Sequence, residues 1–600
     1  MMKYSFVVLL LVCFITTISF SQKAQKIEYT LSMSKPHTHY FEVEINISNY
    51  NKDIIDFLMP VWAPGSYLIR EFPKNVSFFQ ANDFEKNPLL FEKTNKYNWR
   101  VYLNKSKNVI IRYKVYAFEM SVRTSFLDSS HGYLNGTSIF MYVKDLKDQP
   151  LTLKIIPYKD WKKVSTGLTK VKGKLWEYYS PNYDILADSP IEIGNQNIFQ
   201  FTAAGIPHNV VMYGDGNYNI DSLKIQMARI AEAATNVIGE NPNKEYTFLV
   251  HNLSNRGGGL EHLNSTTLQF RRWGYDTENR SRSFLGLVAH EYFHLWNVKR
   301  IRPIQLGPFD YQNENYTELL WEMEGVTSYY GSQILLRAGF YSPNQYLGRI
   351  ESSISSLENQ PGNKVQSAAM SSFDAWIKYY RSNENSDNTE ISYYSKGAVL
   401  GMLLDLEIIN STNGLKSYDD VLRLLYRKYY KELKRGFTEK EFKTTVEVIV
   451  GKNMDDFFNK YVNGTEQVNY NKYLGYAGLQ LIDQKNDNNE IDLGFFSKTK
   501  NSNLFIKRVI DGTPAYNSGL NVDDEIIAVN DYRIDEKTLD NILENFPIGS
   551  ELDFLLSRDG KLMNIKVKLE VNHVKKFNIV DLNNVTDKQK LVYNKWLRIK

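Results

Sequence analysis

Between Ser283 and Trp296 the chain reads Ser-Phe-Leu-Gly-Leu-Val-Ala-His-Glu-Tyr-Phe-His-Leu-Trp, an apolar run ending in His-Glu-x-x-His. Phe284, Leu285, Leu287, Val288, Tyr292, Phe293, Leu295 and Trp296 make it apolar nearly all round, the signature of a buried helix. Residues four apart share a helix face, so His290 and His294 project side by side. Two imidazoles and a carboxylate inside a core need partners. A metal supplies them. Zinc accepts neutral imidazole, and a catalytic zinc takes three protein ligands and one water, so a third ligand must come from elsewhere. Glu291, between the histidines, is the natural general base.

A chain of 600 residues is too long for one core and must divide into domains. With 14% aromatic and 23% charged residues it has a globular composition. The net charge of +4, with Lys and Arg scattered, excludes a nucleic-acid surface. Met1-Met2-Lys3, an apolar stretch from Phe6 to Ile18, and Ser19 and Ser21 describe a secretory signal over 1–21, cut after Ser21. That run is shorter than the roughly 20 residues of a spanning helix, so no membrane span is expected after cleavage. The expected location is outside the cytoplasm, periplasmic or secreted. Cys13, the only cysteine, lies in the signal, which leaves the mature chain without disulfides or a thiol nucleophile.

Over 22–203 short alternating stretches such as Tyr40–Ile47 and Asn108–Val115 predict an antiparallel β-domain. Two denser clusters, Val61–Arg70 and Arg123–Thr137, carry Pro-Gly and Asn-Gly and read as tight turns. From 204 to 472 the pattern turns mainly helical. Asp221 is the expected cap of a first helix, and Tyr246–Val250 reads as a strand. Gly257-Gly258-Gly259-Leu260-Glu261-His262 lets the backbone approach a ligand closely, or forms a flexible loop. After the His-Glu-x-x-His segment, a helix from about Thr317 offers Glu318, Glu322 and Glu324 as third ligands. Glu318 and Glu322 share a face, whereas Glu324 lies about 200° round an α-helix from Glu322, and periodicity does not choose between them. Tyr393 and Tyr394 open a further apolar helix, and a phenol there can hydrogen-bond an oxyanion. Over 473–570, Leu504–Ile510, Pro514-Ala515, Ser518-Gly519-Leu520 and Asp524–Asn530 resemble a PDZ domain, which binds peptides by strand addition, although its usual carboxylate-binding loop is not recognisable. The tail 571–600 contains a capping box, Thr586 to Gln589, before a short docked helix.

Jointly, Trp62–Tyr67, His131–Thr137, Gly258–His262, His290–Asn297 with Lys299–Pro303, Trp321–Thr327 and Tyr394–Ala398 resemble the M61 peptidase family of glycyl aminopeptidases with a PDZ domain. The resemblance implies a multidomain α+β chain: an N-terminal antiparallel β-domain, a mainly helical thermolysin-like catalytic domain and a C-terminal PDZ domain. It implies a single Zn2+ per chain with Glu324 as third ligand beside His290 and His294, and catalysis by Glu291 and Tyr394. It further implies a substrate laid along Gly258 and Gly259 with its amino terminus on Glu261. The expected function is removal of N-terminal residues, glycine or alanine, from peptides, with a further peptide or protein ligand possible at the PDZ domain. The alternatives are a zinc endopeptidase on the same site and a non-catalytic PDZ peptide-binding protein.

Overall fold

The computed structural model describes residues 25–484, 491–571 and 573–599. The expected signal segment 1–21, with Cys13, lies outside the described residues. In the first unit the strands Thr169–Lys170, Glu177–Ser180, Leu151–Ile156, Lys26–Ser32, Tyr40–Ser48, Val109–Tyr116 and Val76–Asn82 lie side by side in one sheet. Alternation sets its inner face: Phe41, Val43, Ile45 and Ile47 point inward while their neighbours are only half-buried. Pairing is antiparallel except between Lys26–Ser32 and Leu151–Ile156, which run parallel. Two four-stranded sheets complete this core.

A five-stranded sheet begins the second unit, in the order Asn197–Ala203, Ile206–Tyr213, Tyr246–Leu253, Ser265–Arg271, Gly258–Glu261. It starts before residue 204, because Ala204 and Gly205, at φ 49° and 77°, form a hairpin turn that in sequence looks like a domain break. Tyr246–Leu253 is parallel to both neighbours and buried along almost its whole length, as a central parallel strand must be. The glycine run is not a loop: Gly258–Glu261 is the edge strand. Across the joint between the units, His131 Nδ1 and His251 Nε2 lie 2.7 and 2.9 Å from the two oxygens of buried Glu192.

Helices α1 (Ile220–Ile238), α2 (Glu278–Phe293), α3 (Thr327–Arg337), α4 (Pro343–Glu358), α5 (Tyr393–Ser411) and α6 (Tyr418–Leu425) share one apolar core with this sheet. The cap of α1 is Asn219, which accepts from Ser222 N at 2.8 Å, rather than Asp221. Asp221 sits in the first turn, where its charge complements the helix dipole. Asp419 ties the helices together: Arg337 donates to both its oxygens at 2.8 and 3.0 Å, Tyr330 donates at 2.7 Å and Arg598 at 3.3 Å. Burial raises the pKa of Asp419, but the two arginines outweigh it and hold the carboxyl well below the usual range. Asp419→Asn leaves Arg337 buried and unpaired, so a loss of about 3–5 kcal/mol is expected in denaturant titrations. Because the folded pKa is depressed, this stabilisation is present above the unfolded pKa of about 4 and fades as pH falls below it.

The strands Phe495–Lys500, Asn503–Val509, Glu525–Val529, Glu551–Arg558 and Lys561–Lys568 form the C-terminal sheet, with Phe495–Lys500 at one edge. Leu539 and Leu543 of α7 (Glu536–Leu543) share its core with Leu493 and Phe495. Leading into the edge strand is Asp492-Leu493-Gly494, a turn with Gly494 at φ 74°. Leu479–Asp483 pairs instead with Phe577–Asp581, and that ribbon docks on α4 through Ile579 N to Glu351 and Phe577 N to Ser355. The domain itself contacts the 386–389 turn: Arg508 pairs with Asp387, and Asn388 bonds Val509 O and Asp511 N, both at 2.9 Å. In the tail, α8 (Asp587–Trp596) forms with its capping box and buries Trp596, whose Nε1 donates to Tyr329 Oη at 3.0 Å. Among the described residues no helix is long and apolar enough to cross a membrane.

Candidate active site

Helix α2 starts at a Thr277 cap and delivers His290 and His294 one turn apart, with Nε2 atoms 3.1 Å from each other. His294 donates from Nδ1 to the Asn297 carbonyl at 2.7 Å, which leaves Nε2 as the free lone pair. Glu324 closes the triangle, its Oε2 lying 3.1 Å from His294 Nε2 and 3.6 Å from His290 Nε2. Tetrahedral bonds of about 2.0–2.1 Å put ligand atoms roughly 3.3 Å apart, so these three residues fit zinc.

Glu324 gets there through an irregularity. Trp321–Val326 is a π-helical turn running into α3. A helical wheel gives only the angles between the three glutamates and not which face meets the histidines, so periodicity left the choice open; the π turn settles Glu324 in place. Glu318 is exposed, and Glu322 is buried elsewhere, 3.4 Å from Tyr418 Oη. The π turn crosses α5 at two glycines. A methyl group on Gly325 would overlap the backbone of Gly397, and one on Gly397 would overlap the Trp321 carbonyl. This close crossing brings Tyr394 to the metal side, its ring 6.3 Å from that of His290. Tyr393 is instead fully buried.

Glu291 is buried, and its Oε2 has no hydrogen-bond partner among the described residues. Burial raises its pKa, and nearby Glu261 and Glu324 push in the same direction against the pull of His294. The edge strand lies directly over it: a methyl group on Gly259 would overlap the Glu291 carboxylate, and Gly258 occupies φ 116°, open to glycine but strained for other residues. Glu261, at the end of that strand, is 4% exposed and forms with Glu291 and His294 a second cluster whose ligand atoms lie within 4.8 Å of one another. Burial raises Glu261 as well. Three carboxylates converge on two imidazoles, a charge balance that calls for cations.

The structure thus gathers His290, His294, Glu324, Glu291, Tyr394, Glu261, Gly258 and Gly259 in one place. Sequence reasoning missed the contribution of the first unit. Pro64-Gly65 does form a turn, but that turn abuts Glu261: Gly65 sits at φ 84°, and a methyl group there would overlap the Glu261 carboxylate. Tyr67 follows, fully buried against Trp376 and Tyr380. The dense Trp62–Tyr67 cluster was the only signal, and turn chemistry explained it equally well. Gly65, Tyr67, Glu261 and Val298 line part of a cavity of about 310 Å3.

Residues 28–195 match the model of the peptidase M61 N-terminal domain, 283–400 that of the M61 glycyl aminopeptidase, and 475–569 that of the PDZ domain. The crystal structure of an aminopeptidase N family protein from Idiomarina loihiensis is 29% identical, with a TM-score of 0.88, covering 95% of this chain and 100% of that one. An M1 zinc metallopeptidase from Deinococcus radiodurans, 12% identical with a TM-score of 0.47, covers 74% of this chain and 96% of its own. Serine protease Do-like HtrA of Bacillus subtilis is 34% identical over 100 residues, 16% of this chain, which spans about a fifth of that relative (22%).

Proposed function

Because the chain belongs to the M61 peptidase family, we propose that it is an exported zinc aminopeptidase that removes N-terminal residues, glycine and alanine preferred, from peptides. One observation carries the reading. Glu261 shares a cluster with Glu291 and His294, so an ammonium held there leaves room for a single residue before the reacting carbonyl. A buried ammonium needs a charged partner, and a carboxylate closed off by the Gly65 turn supplies it.

His290, His294 and Glu324 are the residues that would hold zinc. When bound, zinc supplies Lewis-acid polarisation and a lowered water pKa. Glu291 takes the proton of the attacking water and returns it to the leaving amine. Tyr394 donates to the oxyanion. The outer edge of Gly258–Glu261 is unpaired among the described residues, so an extended peptide can add there as a further strand, with Gly258 and Gly259 leaving space for its backbone. The N-terminal pattern of residues 1–21 supports export.

A panel of aminoacyl nitroanilides, free and N-acetylated, with and without chelator, tests the proposal. Hydrolysis of glycyl and alanyl nitroanilides, abolished by chelator and restored by zinc, is the expected result. Equal cleavage of N-blocked peptides would instead favour an endopeptidase, and purified protein that takes up no zinc would favour a binding protein.

A further inference from the structure

Helix α4 carries a polar face that packing does not explain. Leu347, Ile350, Ile354 and Leu357 are buried, whereas Arg349, Ser352, Ser353 and Ser356 follow one another at the spacing of a single helix face and line a cavity of about 320 Å3. Ser328 and Ser332 of α3, four residues apart, and Tyr394 and Ser395 at the start of α5 form its other walls. Arg349 is the one charged residue among those lining it, and its side chain is exposed and forms no ion pair among the described residues. The hydroxyls of Ser332, Ser356 and Ser395 likewise make no hydrogen bond among the described residues. A free guanidinium and three free hydroxyls in one cavity offer a carboxylate both charge and hydrogen bonds.

The cavity borders the reacting centre. Tyr394 lines it with its ring 6.3 Å from that of His290, and Ser328 Oγ, also in its wall, lies 3.5 Å from His290 Nδ1. Glu261 stands at the other histidine, clustered with Glu291 and His294, and lines a separate cavity that shares no residue with this one. Glu261, His294, His290 and Ser328 therefore follow in that order across the site. A peptide with its amine on Glu261 and its first carbonyl between Glu291 and Tyr394 sends its second residue past His290, towards Ser328 and the hydroxyl face of α4.

We propose that this cavity receives the side chain of the second residue of the substrate, and that Arg349 with Ser332, Ser356 and Ser395 selects an acidic side chain there. A large apolar side chain would cover the same hydroxyls without giving them partners. The inference rests on the aminopeptidase reading and adds to it a preference on the leaving side of the cut bond.

The test is calorimetric titration of the zinc-loaded Glu291→Gln variant with alanyl-glutamyl-alanine amide and alanyl-glutaminyl-alanine amide, which differ by one charge and carry no C-terminal carboxylate. The glutamyl peptide should bind about fivefold tighter, the upper end for an ion pair with an exposed arginine. Adding Arg349→Gln should bring the ratio close to one, and Arg349→Glu should invert it, which a loss of structure in α4 would not do. Equal affinities in the parent variant, which has no change in the cavity, would overturn the proposal, as would a ratio left intact by both Arg349 changes. If the glutamyl peptide is favoured but the wild-type enzyme releases alanine from neither ligand, the aminopeptidase reading fails and the acid-selective cavity stands.

Discussion

Glu291→Gln is expected to load zinc like the parent and to lose on the order of 10²–10⁴-fold in kcat, the usual contribution of a positioned proton carrier. The amide is nearly isosteric with the carboxylate and cannot accept the proton. The Glu291 carboxylate is not in the His290, His294, Glu324 cluster, so those three residues and their second-layer bond from His294 Nδ1 to Asn297 stay in place. Stability should rise slightly or hold, because a buried group whose ionised form is disfavoured becomes permanently neutral. Metal analysis and single-turnover rates on alanyl nitroanilide separate these effects. A variant that keeps its zinc and most of its rate would remove Glu291 from the chemistry.

Gly259→Ala is expected to approach the same loss without touching any group that reacts. The added methyl must displace the Glu291 carboxylate or push the edge strand away, and about 1 Å of misplacement costs on the order of 10²-fold in rate. Gly257→Ala is the control: its methyl meets only Gln269 O at 3.9 Å, so activity should stay near that of the parent. Gly257 immediately precedes the strand that holds Gly259, so unequal rates at equal thermal stability trace the loss to contact with Glu291. Equal rates would mean that the edge strand yields freely.

The parts of this site that local rules govern are legible in the sequence. Helical spacing alone pairs His290 with His294, and the apolar surroundings of that segment announce its burial. Glu324 is not legible from periodicity, because a helical wheel separates it from Glu318 and Glu322 without showing which face meets His290 and His294. Nor is the position of Glu261, since glycine runs give no register. Only the pairing of Gly258–Glu261 with Ser265–Arg271 sets it above Glu291. The cap of α1 shows the same limit on a smaller scale: Asn219 and Asp221 are both capping residues, and backbone geometry decides between them. The role of Gly65 depends on contact between residues almost two hundred positions apart, beyond the reach of any local pattern.

That contact bears on what such an enzyme can become. The wall that closes off Glu261 comes from the β-rich unit, while the residues that would hold zinc come from the helical one, so under the proposed role of Glu261 exopeptidase behaviour would be a property of the joint and not of either half. A change in how the two units seat would open the amine end of the cleft while leaving the zinc triangle intact. On this reading the distance between an enzyme that counts residues from the end of a peptide and one that cuts within it is a shift in domain docking, with no catalytic residue replaced.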